Sequence, residues 1–503
     1  MPELVTLDDI RAAAARLSGV ALRTPLLPLP GASPPLLLKP ELLQPTGSFK
    51  IRGAYNAICS LPEEIRRRGV VAHSSGNHAA AVAWAAGLLG VPAAVVIPSN
   101  APPGKIAAAR ASQAEVVICQ PGLSARLAAT GELIRKHGYT LVPPFDDPAV
   151  IAGQGTIGLE IGTDCPQAGL VLVPISGGGL ISGIAVYVKY LYPNIRIIGV
   201  EPADAASMYE SLKAGRRVTL DRVGIFADGV AVKRVGEETF PLCRDHVDEI
   251  VLLDADEICA AIQDVFEDTR SIVEPAGALA VAGLKKYIAR EGWRDKRVVA
   301  INSGANINFD RLRHVAERAD LGGEREALLA VTIPERPGSF LRFCELLGNR
   351  SVTEFNYRYE SEQAAQIFVS FGLAQGRTEK DTVVHALREA GYTVTDMTDN
   401  EMAKLHVRYM VGGRARGIRD ELLYRFEFPE RPGALLKFLQ AVGGRWNISL
   451  FHYRNHGSDY GRVLAGIQVP PAERADFLQH INELHYAYAE ETANPAYRMF
   501  LGS

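Results

Sequence analysis

Short apolar runs and longer alanine-rich stretches take turns along most of the chain. Runs dominated by Val, Ile, Leu and Ala stand at 36–38, 70–72, 93–98, 115–119, 170–175, 196–200, 249–253 and 297–301. Helical patterns fall between them at 79–89, 103–112, 122–136 and 181–190. Near-continuous apolar strands that alternate with helices predict an α/β domain, a mostly parallel, doubly wound sheet covered on both faces. A helix over 7–18, capped by Thr6 or Asp8, precedes it. Such sheets bind ligands at the carboxyl ends of their strands, so the residues that follow each strand carry the chemistry.

The rhythm changes at 311–327, a charged helical stretch with Gly322-Gly323 that reads as a linker. Beyond it Pro334-Glu335-Arg336-Pro337-Gly338 recurs as Pro429-Glu430-Arg431-Pro432-Gly433. Each copy follows an apolar strand, precedes an apolar helix and leads to a second strand with Tyr-Arg, at Tyr357-Arg358 and Tyr453-Arg454. This predicts two copies of a small β-α-β module, over 326–401 and 422–493, behind a larger domain over 1–320. Neither copy holds a nucleophile–base pair. Ligand sensing and oligomerisation are both open to them, and the two Tyr-Arg pairs are candidate effector contacts.

A chain of 503 residues is too long for one ordinary domain, which agrees with that division. A net charge of −3 gives no sign of a nucleic-acid or anionic-membrane partner. The start of the chain lacks a signal-peptide pattern, and no apolar stretch is long enough to span a bilayer. Six scattered cysteines suit reduced thiols of the cytoplasm and argue against a structural metal site.

Four strand ends stand out. The first leads through Thr46-Gly47-Ser48-Phe49 to Lys50, with Thr46 and Ser48 as natural N-caps of a helix that Lys50 opens. An ammonium is disfavoured in the first turn of a helix, so a lowered pKa and an aldehyde-binding amine are expected, against the alternative of a solvated surface lysine. The second leads to Ser74-Ser75-Gly76-Asn77-His78. Asn77 there is a ligand contact or a plain N-cap, and His78 is packed or hydrogen-bonded locally. The third gives Ser176-Gly177-Gly178-Gly179-Leu180 before a helix, a cradle for a small phosphate that matches neither the nucleotide loop nor the dinucleotide fingerprint. The fourth ends at Ser303, a neutral hydroxyl. Glu274 precedes another helix and is either a first-turn acid or a site residue.

Together these stretches resemble the biosynthetic threonine dehydratase (threonine ammonia-lyase) family over essentially the whole chain. The resemblance rests on residues 48–54, 74–78, 176–180 and 303–306 and on the paired Pro-Glu-Arg-Pro-Gly segments. It implies a pyridoxal 5′-phosphate enzyme of the tryptophan-synthase-β-like fold (fold type II), followed by two α+β ACT-like regulatory modules. It implies that Lys50 holds the cofactor's aldehyde, that Asn77 faces its ring oxygen, and that Ser176, Gly177, Gly178, Gly179 and Leu180 hold its phosphate. Ser303 then faces the pyridine nitrogen and leaves it neutral, which favours elimination over transamination. Lys50 takes the Cα proton of L-threonine, giving 2-oxobutanoate and ammonia, and L-serine gives pyruvate. Glu274 has a supporting role.

The resemblance further implies a cytoplasmic homotetramer of isoleucine biosynthesis, inhibited by isoleucine and opposed by valine. The sequence departs from the family pattern twice. Ser176 replaces a glycine, and Ser75 replaces an alanine at a position where serine racemases carry serine. A hydroxyl at Ser75 can reprotonate Cα from the opposite face, so a serine/threonine racemase–dehydratase is the alternative enzyme reading. A non-catalytic amino-acid sensor is the alternative from another class, and the joint presence of Lys50, Asn77, the glycine loop and Ser303 argues against it.

Overall fold

The computed structural model describes residues 4–29, 36–74, 76–99, 101, 106, 110, 114–293, 297–358, 364–405, 407–409, 417–429, 434–442, 445–454, 460–495, 497 and 501. The chain forms two compact units, Met1–Gly322 and Gly323–Ser503.

The first unit holds two sheets. The larger has β1 (Leu27–Leu29), β2 (Leu36–Pro40), β7 (Leu170–Pro174), β8 (Arg196–Pro202), β9 (Glu249–Leu253) and β10 (Val298–Asn302) in the order β1-β2-β10-β7-β8-β9. All neighbours in it are parallel except the β1–β2 pair. The smaller has β3 (Val70–His73), β4 (Ala93–Pro98), β5 (Glu115–Cys119) and β6 (Thr140–Leu141), all parallel, in the order β5-β4-β3-β6. The predicted strands match these with ends moved by one or two residues. The predicted helix at 103–112 lies largely outside the described residues.

Burial on both faces is visible residue by residue. In β7, Leu170 and Leu172 enter one core with Ile262, Leu279 and Val315. Val171 and Val173 enter the opposite core with Ile161, Ile181 and Phe240. Alternate side chains of a strand point to opposite faces, so a strand between two helical layers must be apolar throughout. Local caps set the helices: Thr6 and Asp9 form a capping box on Leu7–Leu17, and Asp147 caps Pro148–Asp164, which has proline in its first turn.

The stretch read as a linker is not one. Asp310–Gly322 is a helix that packs on Ala255–Thr269, with Val315 and Ala319 in the core and Arg318 paired to Asp256. Val315, Ala319 and Leu321 are buried while Arg313 stays exposed, so overall polarity hid an amphipathic helix. The chain divides instead at Gly322–Gly323.

In the second unit the repeat is longer than β-α-β. Each copy runs strand, helix, strand, strand, helix, strand. The first has β11 (Glu326–Pro334), β12 (Val352–Arg358), β13 (Ala364–Gly372) and β14 (Thr393–Asp396). The second has β15 (Glu421–Pro429), β16 (Asn447–Arg454), β17 (Tyr460–Gln468) and β18 (Ala487–Glu490). Antiparallel pairing of β12 with β16 joins them into one eight-stranded sheet, β14-β11-β13-β12-β16-β17-β15-β18. No helix among the described residues is long and apolar enough to cross a membrane.

Candidate active site

After β2 the chain returns through 41–49 into the Lys50–Ser60 helix. The N-cap is Phe49, in helical geometry and without a side-chain cap bond, rather than Thr46 or Ser48. The cause is a pairing between distant loops. Phe49 N donates to Ser303 O (3.1 Å), Ala305 N donates to Gly47 O (3.0 Å), and Ser48 bridges Gly304. A segment held in a strand-like ladder cannot also wrap a helix start. Thr46 Oγ1 and Ser48 Oγ are left buried without a protein partner. The same pairing binds the segment that bears Ser303 to the one that bears Lys50. Ser303 Oγ donates to Ala276 O (3.2 Å).

Lys50 is the first residue of its helix, as the sequence predicts. Its Nζ donates to Pro144 O at 2.6 Å. Burial lowers its amine to about 8, with the Glu274 carboxylate acting in the opposite direction. Asn77 opens the Asn77–Leu89 helix, and its Nδ2 donates to Glu274 Oε1 at 2.7 Å. Glu274 N in turn donates to Gly304 O (3.2 Å). Gly304 therefore joins the Lys50, Ser303, Glu274 and Asn77 segments. His78 is buried against Val142 O (2.8 Å), and burial together with Lys50 pushes its imidazole down to about 3, so it stays neutral. Ser75 lies outside the described residues.

The glycine loop follows β7 and opens the Gly179–Leu191 helix, whose first N–H groups have no acceptor within the helix. The reading of bare glycines as room for an anion accounts for only part of them. A Cβ on Gly177 would stand 2.3 Å from the Phe145 ring, and one on Gly179 2.8 Å from Phe145 O. Gly178 has φ +101°, a conformation that suits glycine. Phe145 thus lies on the loop, while its neighbour Pro144 holds Lys50. Asp146 accepts from Glu237 N and Glu238 N (2.8 and 2.9 Å), and Thr239 Oγ1 donates to Gly177 O (2.5 Å). Segment 144–147 therefore ties the amine to the loop. Sequence reasoning missed it, although Pro143-Pro144 before an Asp-capped helix signalled a rigid turn. Gly177→Ala is expected to destabilise the fold by about 1–3 kcal/mol through overpacking and to loosen a bound cofactor. Thermal melting and the cofactor retained after gel filtration check this, and Phe145→Ala in the same chain is expected to recover part of the loss.

The set suits pyridoxal phosphate in its chemistry. It offers an amine that loses its proton easily, a glycine turn at a helix start for a dianion, and buried polar atoms without protein partners.

In the second unit Tyr357 donates its hydroxyl to both carboxylate oxygens of Glu335, at 2.7 and 2.6 Å, and Asn447 Nδ2 of the second repeat donates to Glu335 Oε1 at 2.9 Å. These groups line a narrow cleft, partly open to solvent, beside the buried Ile333, Phe340, Trp446 and Ile448. Burial raises the Glu335 carboxyl above its ordinary range. The Tyr453 ring is buried in the core. The side chains of Arg358 and Arg454, and Glu430 of the second motif, lie outside the described residues.

Comparison with known proteins agrees with both units. Residues 17–304 match the pyridoxal-phosphate dependent enzyme family, and residues 317–407 and 412–501 match the C-terminal regulatory domain of threonine dehydratase. The chain is 52% identical to the biosynthetic L-threonine dehydratase of Escherichia coli, over 93% of this chain and 90% of that protein. It is 51% identical to that of Burkholderia multivorans, over 97% of each. Among solved structures, the processed form of threonine deaminase isoform 2 from Solanum lycopersicum matches with a TM-score of 0.59 at 41% identity, covering 63% of this chain and 96% of that one. The chain belongs to the biosynthetic threonine dehydratases, a pyridoxal-phosphate-dependent lyase family with a C-terminal regulatory region.

Proposed function

We propose that this protein dehydrates and deaminates L-threonine to 2-oxobutanoate and ammonia, accepts L-serine to give pyruvate, and is inhibited by isoleucine as the end product of the pathway it opens. Residues 1–320 are the catalytic part, and 326–401 and 422–493 are the regulatory modules. The observation that carries the reading is the partly buried amine of Lys50, lowered to about 8, on a peptide segment that also packs on the glycine loop.

Pyridoxal phosphate supplies, when bound, an aldehyde for the substrate's amino group and a ring that takes up the electron pair released at Cα. Ser176, Gly177, Gly178, Gly179 and Leu180 would hold its phosphate with backbone N–H groups and the positive end of the helix. Asn77 would donate to its ring oxygen. Ser303 would meet the pyridine nitrogen with a hydroxyl, which cannot keep that nitrogen protonated as a carboxylate would. Lys50, once freed, is the base for the Cα proton. A lysine near 8 holds an appreciable neutral fraction at neutral pH, and an ordinary surface lysine does not.

The regulatory reading is supported by the cluster of Glu335, Tyr357 and Asn447 at the joint of the two repeats. Glu335 suits the ammonium of a free amino acid, and an effector bound there would have to part Ile333, Phe340 and Ile448, because the cleft as it stands has room for about one water. Tyr357 orients Glu335, and Tyr453 holds the matching place in the second repeat. An effector bound there acts by favouring one conformation over another, with valine opposing isoleucine. The assembly is a cytoplasmic homotetramer; six free cysteines suit that compartment.

The test is 2-oxobutanoate release from L-threonine with and without L-isoleucine. The expected result is turnover that isoleucine suppresses, with a sigmoidal threonine curve. Turnover indifferent to isoleucine would remove the regulatory half of the proposal, and no turnover by cofactor-loaded protein would remove the first half.

A further inference from the structure

Glu274 occupies the N-cap position of the Pro275–Glu291 helix, yet its side chain makes no cap hydrogen bond. A carboxylate at a helix start ordinarily turns to the free N–H groups beside it. Here Gly277 N and Ala278 N go to the backbone carbonyl of Glu274 (2.8 and 3.2 Å). The carboxylate turns away and accepts from Asn77 Nδ2, on a different helix and from the other sheet of the unit. Glu274 is only 4% exposed. Its backbone is pinned to Gly304, and a Cβ on Gly304 would lie 2.4 Å from Glu274 Oε1, so the missing side chain makes room for the carboxylate.

A carboxylate accepts hydrogen bonds and donates none, whereas a primary amide donates from nitrogen and accepts at oxygen. Glu274 therefore fixes which end of the Asn77 amide faces it. Nδ2 points to Glu274 and keeps one further N–H. Oδ1 is turned away, buried and without a protein partner. In the flipped amide two acceptors would face each other in a poorly solvated cleft, which is costly.

We propose that Glu274 is a positioning residue, which locks the Asn77 amide so that its remaining Nδ2 hydrogen is offered to the anionic ring oxygen of the cofactor. This rests on the cofactor-site reading given under Proposed function. The ring oxygen of pyridoxal phosphate is adjacent to the carbon that carries the aldehyde, so capture by Lys50 brings that oxygen to the lysine's surroundings, where the Glu274 charge is also felt. Glu274 would then act through Asn77 and touch neither substrate nor cofactor.

The experiment is a double-mutant cycle on the cofactor-loaded protein, read by the visible absorbance of the bound cofactor and by kcat and KM for threonine. Glu274→Gln offers the amide either orientation and is expected to shift the absorbance band and lower kcat about tenfold, with KM changed less. Asn77→Ala is expected to shift the band in the same direction. The double variant is expected to match Asn77→Ala alone. Full additivity of the two changes, or an unshifted band in Glu274→Gln, would overturn the proposal.

A swap separates positioning from mere packing and serves also where a single variant folds poorly. In Asn77→Asp with Glu274→Gln the donor and acceptor trade places and the pair re-forms, but no N–H remains for the cofactor. The proposal expects the folded swap to keep the shifted band of Asn77→Ala. A normal band and normal kcat in the swap would show that the pair is structural only. Failure of the unsubstituted protein to show any borohydride-reducible cofactor on Lys50 would overturn the site reading itself, and this inference with it.

Discussion

Lys50→Ala is expected to abolish threonine turnover, with a loss of at least about 10²–10⁴-fold from the missing base alone, and to abolish the visible absorbance of a lysine-bound cofactor. The variant should still fold, because Lys50 is only partly buried and, among the described residues, its side chain hydrogen-bonds only to Pro144 O. A folded variant that still turns over threonine would remove Lys50 from the mechanism. The unsubstituted protein adds a second, signed test. Burial disfavours the ammonium and lowers the amine to about 8, although Glu274 opposes this. Only the neutral amine attacks an aldehyde. In protein stripped of cofactor, the rate of recapture should therefore rise about tenfold per pH unit below 8 and level off above it. An ordinary lysine would keep gaining up to its usual value of 10.5. Stopped-flow absorbance over pH 6 to 10 measures the turning point, and one near 10 would contradict the burial argument.

That Lys50 opens a helix was legible because the helix signal is local. The stretch that reads as a helix, Ala54-Tyr55-Asn56-Ala57-Ile58, begins only four residues after Lys50. What holds the lysine there was not legible. The ladder between 47–49 and 303–305 joins segments far apart in the chain, and neither segment carries a strand pattern of its own. It overrode two good capping residues, because burying both backbones required pairing them. The glycine loop was legible as a strand-to-helix turn. Its dependence on Phe145 was not, because nothing in the local pattern of a bare glycine says which atoms approach it. In the second unit the repeated Pro-Glu-Arg-Pro-Gly gave away the duplication. The use of Glu335 as a shared acceptor for Tyr357 and Asn447 needed the β12–β16 pairing, which no repeat period specifies.

Charge was the hardest to read. Lys39, Glu41, Arg52 and Glu160 look like ordinary solvated residues in the sequence, and each is at least nine-tenths buried. Lys39 directly after three leucines in a strand was the available clue. Arg52, two residues after Lys50, donates to Glu41 through Nε and Nη2 (2.8 Å each) and to Glu160 through Nη1 and Nη2 (2.6 and 3.0 Å). Lys39 Nζ donates to Glu160 Oε2 (2.5 Å) and to Thr24 O (2.6 Å), and Thr24 Oγ1 donates to Glu41 Oε1 (2.7 Å). Two positive and two negative charges thus balance within one network. It ties the end of β2 and the Pro148–Asp164 helix to the helix that begins with Lys50.

Arg52→Met is expected to be the most destabilising single change in the first unit, because it leaves two buried carboxylates with one ammonium between them. Removing one partner of a buried ion pair costs about 3–5 kcal/mol, which in a unit of this size lowers the melting temperature by about 4–7 °C. Replacing Lys39, Glu41, Arg52 and Glu160 together by apolar residues of similar volume should recover much of the loss, since the penalty lies in unpaired charge. The pH dependence carries the sign. In the unsubstituted protein burial works to raise the Glu41 carboxyl, but Arg52 prevails and holds it below the ordinary 4.5. Its contribution is therefore complete above that value and is lost as pH falls through the depressed one. Without Arg52 burial acts nearly unopposed and the carboxyl is raised. The variant then gains from protonation at low pH and loses that gain as pH rises through the raised value. The gap in melting temperature between the two proteins should accordingly be wider at pH 8 than at pH 5. An equal gap at both would mean that Arg52 stabilises the unit by packing its alkyl chain rather than by neutralising Glu41 and Glu160.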